Sequence, residues 1–225
     1  MIAFRRYILC GLLFCTHLLL AQPRLSQPDI FLGVHGGVKA STVLFNPSIN
    51  AIEILKSPLG FNGGLVFRYA EHKVCALQVE CNYMQHGWAE AYGSNKEIVY
   101  TRRLHYIELP FLMHLGFGKG DFKAFLNLGP QIGCCLKDSY SLSSSADVKL
   151  DQLQHNSLDN LFDWGVMLGL GCYYRSTKAG LFQLEMRGCY SLGSIFEVGA
   201  LSHYQMANPL GVSVNLAYMW QFKGR

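Results

Sequence analysis

The segment 210–222, close to the C-terminus, is the feature that most constrains the fold of this chain. Its even positions are all apolar or aromatic, and its odd positions are mostly small or polar. Side chains alternate between the two faces of a β-strand, so the segment predicts a strand with one apolar face and one polar face. A strand of thirteen residues with these faces and an aromatic end fits a barrel wall between lipid and a polar lumen. We therefore predict a membrane barrel.

Seven further segments show the same spacing and bring the predicted number of strands to eight. In each of them one parity is mainly apolar, as in Leu77, Val79, Cys81 and Tyr83, and the other carries polar or small residues. The predicted strands are 30–38, 60–70, 74–87, 102–117, 122–136, 162–175, 179–192 and 210–222. The predicted fold class is all-β, an eight-stranded antiparallel up-and-down transmembrane β-barrel.

The connections support this fold, because outer-membrane barrels have short turns at the periplasmic end and longer loops at the outer end. Three short connections, at 71–73, 118–121 and 176–178, alternate with long ones. The long connections are predicted at 39–59, 88–101, 137–161 and 193–208. With an even number of strands, this alternation places both ends of the barrel domain on the periplasmic side.

Pairing across the short turns is predicted to bring matching faces together. The predicted opposite residues are Phe67 with Leu77, Glu108 with Gln131, and Gly169 with Glu185. A slip by one residue would turn every side chain of a strand to the other face, so the agreement at three hairpins supports the assignment.

The N-terminal residues have the layout of a secretory signal peptide. Arg5 and Arg6 precede an apolar run at 8–20 and the small Ala21. The run has 13 residues and is shorter than the roughly 20 that a membrane-spanning helix needs. We predict that residues 1–21 are removed and that residues 22–225 form one barrel domain. The formal net charge of +4 includes both arginines and gives no reason to expect a nucleic-acid partner.

The cysteines of the predicted mature chain are interpreted as small apolar side chains of strands. Parity directs Cys134 to lipid and the adjacent Cys135 inward, so the two cannot easily share a zinc ion. Parity also gives the faces of the others, with Cys75, Cys81 and Cys172 toward lipid and Cys189 inward. A disulfide and a metal site are the alternatives. No cofactor is expected.

The strand sequences resemble those of the PorT-like outer-membrane β-barrel proteins. The resemblance lies in Tyr106-Ile107-Glu108-Leu109-Pro110-Phe111-Leu112, in Gly129-Pro130-Gln131, in Asp163-Trp164-Gly165 leading to Gly169-Leu170-Gly171, and in Leu184-Glu185-Met186-Arg187. It implies an eight-stranded barrel in the outer membrane of a Gram-negative bacterium. Some members of that family assist a protein secretion system or gliding, and most have no assigned activity.

Polar residues of the inward parity are the candidate functional residues. They are Arg68, Glu80, Glu108, Lys123, Gln131, Gln183, Glu185 and Arg187. Buried carboxylates are costly unless they are paired, and eight strands enclose a space just wide enough for side chains. We predict an ion-paired network that fills the lumen, with Gly165, Gly169 and Gly171 leaving room for longer neighbours. A proton relay is the alternative.

Aromatic residues gather near the predicted strand ends. Tyr and Trp favour the membrane interface, because their rings are apolar and their tips are polar. We predict interface anchors at Tyr174, Tyr218, Trp220 and Phe222, and we expect the neighbouring Tyr173 in the same aromatic group. The alternative is a soluble barrel with its apolar face inside.

The predicted function is that of a non-enzymatic scaffold, binding or secretion-accessory protein of the bacterial outer membrane. The alternatives are a barrel enzyme, as a hydrolase or acyltransferase on lipid or peptide, and a narrow solute channel. His35 and His114 point inward, and His155 and His203 fall in predicted loops, but no Ser, His and acid stand at a recognisable spacing. The expected partners are outer-membrane lipid and, through 39–59 and 137–161, other envelope or secretion proteins.

Overall fold

A computed structural model describes residues 24–46, 53–55, 59–92, 97–142, 160–176, 178–195 and 206–223. The predicted signal peptide at 1–21 lies outside these residues. The described residues form nine β-strands. The strands are β1 (Arg24–Asn46), β2 (Glu53–Leu55), β3 (Gly60–His72), β4 (Cys75–Tyr92), β5 (Glu97–Phe117), β6 (Phe122–Leu142), β7 (Phe162–Ser176), β8 (Gly180–Ser191) and β9 (Met206–Lys223).

Eight of the strands close into a ring. Each of β3 to β8 pairs antiparallel with the next strand of the chain, and β1 pairs with both β3 and β9. The short β2 adds to the edge of β4 above the start of β3. Closure gives every barrel strand a partner on both sides. The predicted fold class is confirmed, and β2 is an addition to it.

The two faces of β9 follow the predicted parity. Leu210, Val212, Val214 and Leu216 point outward, and Leu216 leaves 67% of its surface exposed. Ser213 and Asn215 lie between them and are buried in the lumen. The outer surface is therefore an apolar belt that can contact lipid, and the polar residues are inside. No helix of the described part is long and apolar enough to cross a membrane.

The pairing across all three short turns differs from the predicted pairing by two residues. Phe67 lies opposite Val79 rather than Leu77, Glu108 lies opposite Gly133 rather than Gln131, and Gly169 lies opposite Arg187 rather than Glu185. A shift of two keeps every side chain on its face, so the alternating pattern cannot exclude it. The backbone conformation of a turn selects between the two registers. Gly118 and Gly120 in the second turn and Gly180 at the end of the third adopt positive φ angles.

The strands also run further than predicted at the end of the long loops, which we call the loop end. The predicted loop 39–59 begins within β1 and contains β2, and the predicted loop 88–101 lies largely within β4 and β5. In the same way, the start of the predicted loop 137–161 belongs to β6, and the end of the predicted loop 193–208 belongs to β9. Neighbouring strands continue together, so their backbone groups stay paired beyond the apolar belt.

Aromatic side chains ring the outer surface at both ends of the belt. At the opposite end, which we call the turn end, Tyr174, Trp220 and Phe222 are half exposed, and the Tyr218 ring stacks edge-on against Trp220 at 4.6 Å. The exposed aromatics at the loop end include Phe61, Tyr83, Phe162 and Trp164. Tyr173 differs from the expectation, because it points inward and is 9% exposed. The parity of β7 separates it from Tyr174.

Candidate functional site

The centre of the lumen holds an arginine between two glutamates on different strands. The Arg187 guanidinium donates to Glu80 through Nη1 at 2.7 Å and Nη2 at 2.9 Å. It also donates to Glu185, through Nη2 at 2.8 Å and Nε at 3.2 Å. Glu80 comes from β4, and Arg187 and Glu185 come from β8, so the bonds to Glu80 cross the barrel. All three side chains are at most 3% exposed, and bidentate geometry is what makes such a buried cluster tolerable.

Carboxamides extend this cluster toward both walls. Asn82 donates to Glu80 at 2.7 Å, and Asn127 donates to Glu185 at 2.9 Å. Closer to the turn end, Arg68 donates to Gln78 at 2.8 Å and to Gln183. Side chains from β3, β4, β6 and β8 thus form one connected set of hydrogen bonds across the lumen.

A second charged group lies nearer the loop end. The Nε2 atom of His86 is 2.6 Å from Glu108 Oε1 and 3.0 Å from Lys39 Nζ. All three residues are buried. Sequence reasoning missed Lys39, because the predicted first strand stops at residue 38. It also missed His86, although the parity of its strand directs it inward.

Four buried polar residues around Gly133 leave atoms without hydrogen-bond partners among the described residues. These atoms are Tyr106 Oη, Glu108 Oε2, Asp163 Oδ1 and both amide atoms of Gln131. Glu108, Gly133 and Asp163 stand side by side on β5, β6 and β7. Ordered water is the ordinary partner for buried groups of this kind.

The lumen is not polar throughout, in contrast to the prediction. At the turn end six buried side chains from different strands pack together. This apolar plug consists of Phe31, Val66, Phe125, Tyr173, Leu181 and Met219. The inward parity of β9 already contains Met219, and the β8–β9 pairing places it opposite Leu181, but only closure of the ring brings it beside Phe31. The plug and the ionic cluster occupy successive levels of the same lumen.

The glycines of β7 make room for the charged neighbours on β8. A Cβ atom at Gly169 would meet the Glu185 carboxylate, and one at Gly171 would meet both the Leu184 backbone oxygen and the Phe125 ring. A Cβ at Gly165 would likewise meet backbone, here that of Tyr190. The space expected beside β7 is thus taken by Glu185 and by part of the apolar plug.

The predicted residues do not all join the network. Arg68, Glu80, Gln183, Glu185 and Arg187 are linked by the bonds above, whereas Glu108 belongs to the group with His86 and Lys39. Lys123 is half buried and lines a cleft at the turn end. His35 contacts Asn82 at 2.6 Å, and His114 contacts Asn127 at 2.7 Å. His155 and His203 lie outside the described residues.

Beyond the belt, β4, β5 and β6 continue as a sheet at the loop end. Trp88 donates to Glu90 at 2.7 Å, and the Arg102 guanidinium lies 5.4 Å from the centre of the Trp88 ring. Arg102 also donates to Asp138, through Nε at 3.0 Å. Burial alone would lower the pKa of Arg102, but the hydrogen bonds and negative charges of Asp138 and Tyr100 together raise that pKa.

The six described cysteines are free thiols with the predicted faces. Cys81 and Cys134 are exposed on the outer surface, Cys75 and Cys172 are partly exposed, and Cys135 and Cys189 are buried. Within the described ranges, no group of three or more His, Cys, Asp or Glu side chains is arranged to hold a metal ion.

Comparison with known proteins adds a family match. A family model described as "Outer membrane protein beta-barrel domain" matches residues 21–197, more than half of the chain. No curated protein is significantly similar in sequence. Among solved structures, OprG from Pseudomonas aeruginosa is 12% identical with a TM-score of 0.49, over 86% of this chain and 96% of that one.

Two further solved structures give similar values. Neisserial surface protein A is 14% identical with a TM-score of 0.46, over 84% of this chain and 97% of that one. Ail of Yersinia pestis is 11% identical with a TM-score of 0.43, over 87% of this chain and 100% of that one. Identities this low say nothing about what the present chain binds or does.

Proposed function

Because the chain belongs to the family of the outer membrane protein β-barrel domain and is an integral protein of that membrane, we propose that it acts as a non-enzymatic scaffold or binding protein. The observation that carries the proposal is the cluster of Arg187, Glu80 and Glu185 across the centre of the lumen. A barrel of eight strands has little interior space, and here ion-paired side chains occupy it. Hydrogen bonds between opposite walls occupy the space that a pore would need.

Conductance in planar lipid bilayers tests whether the lumen is closed. The purified, refolded protein is expected to give no sustained single-channel steps, while a general porin inserted under the same conditions gives them. A second sample with Arg187→Ala, Glu80→Ala and Glu185→Ala removes the crossing bonds and is expected to conduct intermittently if it folds. Sustained steps from the natural sequence would show a solute channel instead.

Burial also argues against an enzyme. The pair of His86 and Glu108 has the residue types of an acid–base dyad, but both side chains are buried below the loop end, away from any large substrate. We infer that this pair is structural. Replacing Glu108 by Gln is expected to lower the thermal stability of the barrel, measured as the temperature at which gel migration changes. Neither the natural protein nor this variant is expected to hydrolyse lipid or peptide.

The partner surface is proposed at the loop end. A rigid barrel commonly carries recognition on its loops, and the resemblance to PorT-like proteins suggests that the partners belong to an envelope or secretion system. We propose that the loops 39–59 and 137–161 make these contacts; residues 47–52, 56–58 and 143–159 lie outside the described part. The ends of strands β1 and β6 would hold these loops in place.

Replacing 143–159 with a Gly/Ser linker of equal length tests this surface in cells. We expect normal barrel assembly, measured by heat-modifiable gel migration, together with reduced secretion of proteins into the medium. The control exchanges the exposed turn residues Lys119 and Asp121 for Ser at the opposite end of the barrel. A secretion defect of equal size in the control would contradict the assignment of partners to the loop end.

We also propose that the chain reaches the outer membrane by means of a cleaved signal peptide. Export to the outer membrane requires passage through the inner membrane, and residues 1–21 have the composition for it. The intact mass of protein purified from outer membranes is expected to correspond to residues 22–225. A mass that includes Met1 would contradict cleavage.

A further inference from the structure

A cleft of about 250 Å³ lies at the turn end of the lumen, beside the apolar plug. It exists because three neighbouring strands carry small residues at inward positions, namely Ala70 on β3, Ala76 on β4 and Gly116 on β5. The opposite side of the cleft is formed by Phe31, Tyr173 and Leu181. Small residues on one wall and large ones on the other leave a space that the described side chains do not fill.

The floor of the cleft is a buried arginine whose direct partners are neutral. Arg68 is 2% exposed and donates from Nε to Gln78 and from Nη2 to Gln183. The nearest carboxylates, Glu80 and Glu185, are bonded to Arg187. Neither of the two hydrogen bonds of Arg68 uses Nη1, so the described residues leave this nitrogen available to a ligand in the cleft. A guanidinium so placed favours a charge-assisted bond to an anion.

The rim adds further positive charge. Lys73, Lys123 and Arg175 line the cleft together with a single carboxylate, that of Asp29. Asp29 is already engaged, because it accepts from Arg175 at 2.8 Å and from Gln221 at 2.8 Å. The lining therefore carries more positive than negative charge, and its unengaged charged groups are donors.

We propose that this cleft binds a small oxyanion, a carboxylate or phosphate group presented from the periplasmic side. Arg68 binds it at the floor and Lys123 at the rim. The apolar wall keeps bulk water from the floor, which strengthens the electrostatic attraction there. The volume accommodates one such group and a few attached atoms, which fits a small solute or the end of a larger molecule. The proposal goes beyond the scaffold role and does not depend on it.

Titration of the protein, folded in an uncharged detergent, tests the site. Inorganic phosphate and acetate are used in separate arms, each against sodium chloride of equal ionic strength, with calorimetry as the readout. Saturable binding with a dissociation constant of about 1 mM is expected in at least one arm. Binding of phosphate alone or of acetate alone identifies which anion the site takes, and both results support it.

Three variants locate the binding. Ala76→Leu fills the cleft without changing a charge and is expected to weaken binding by about tenfold or more. Lys123→Met removes the rim donor and is expected to weaken binding severalfold. Lys119→Met, on the exposed turn between β5 and β6, is the matched control and should bind as the natural protein does.

Heat-modifiable gel migration confirms that each variant is folded before titration. The site is overturned if neither anion binds saturably to the natural protein, or if Lys123→Met and a folded Ala76→Leu variant bind as the control does. Because conductance is not measured here, these outcomes leave the closed-lumen proposal untouched.

Discussion

Arg187 lies within hydrogen-bond distance of four carboxylate oxygens, and no other position in the described lumen concentrates so much charge. Its value to the fold follows from its burial. Once Glu80 and Glu185 are enclosed, removing the arginine leaves two carboxylates without their counter-charge, and the cost is far larger than that of a surface pair.

Arg187→Met is therefore expected to lower the free energy of unfolding by roughly 3–5 kcal/mol. The control is Arg175→Met, which breaks the pair with Asp29 at the turn end. That pair is partly exposed, with side chains 37% and 17% accessible, so its loss should cost about 0–1 kcal/mol. Urea unfolding in lipid vesicles, followed by tryptophan fluorescence, measures both. Equal losses would mean that the central cluster has no special role.

Gly169 gives a second test at the scale of a residue. Gly169→Ala places a Cβ against the Glu185 carboxylate, which must then leave its bonds with Arg187 and Asn127. We expect a loss of about 1–3 kcal/mol from this overpacking. Gly188→Ala is the control, because the nearest atom to its added Cβ is Leu168 O at 3.9 Å. If the two variants unfold alike, Gly169 is not needed for space.

At the scale of the strands, the feature to test is the register of the hairpins. The sequence pattern and the structure agree on the faces of β3 and β4 and disagree by two residues on the pairing. Phe67 and Val79 are directly opposite, whereas Phe67 and Leu77 are diagonal neighbours. Directly opposite residues have the Cα separation that a disulfide needs, and diagonal ones are too far apart.

We expect Phe67→Cys with Val79→Cys to form a disulfide on mild oxidation, in a chain whose native cysteines are replaced by alanine. Phe67→Cys with Leu77→Cys is the matched control and should stay reduced. Non-reducing gel electrophoresis of protease-cut protein distinguishes the two. Preferential cross-linking of the control pair would restore the predicted register.

At the scale of the whole molecule, the apolar belt determines where the barrel sits. Leu216 is at the middle of the outward series of β9, and Leu44 of β1 points outward where the strands pass beyond that series. A charge on the lipid face costs most at the bilayer midplane and little near the interface.

Leu216→Arg is expected to destabilise the barrel by about 2–4 kcal/mol, and Leu44→Arg by about 0–1 kcal/mol. Unfolding in lipid vesicles gives both values. The same pair in a soluble barrel would show small and similar effects, so the contrast tests the position of the belt in the bilayer.

The sequence alone determined the barrel, its eight wall strands, the faces of most of their side chains and the ends with short turns. These properties are local, because alternation with period two and turn residues act within one strand or hairpin. They also sufficed to propose Glu80, Glu185 and Arg187 as inward residues. They did not reveal Lys39, whose strand extends beyond the last strongly alternating residues.

The tertiary structure decided the rest. Only closure of the ring brings β4 and β8 to opposite walls and sets Arg187 against Glu80, and only the three-dimensional packing gathers Phe31, Phe125 and Met219 into a plug. The register was also decided there, since a shift of two residues leaves the strand pattern unchanged while it changes every partner. Segment 210–222 thus carries its own two faces, and the other strands determine what its inner face touches.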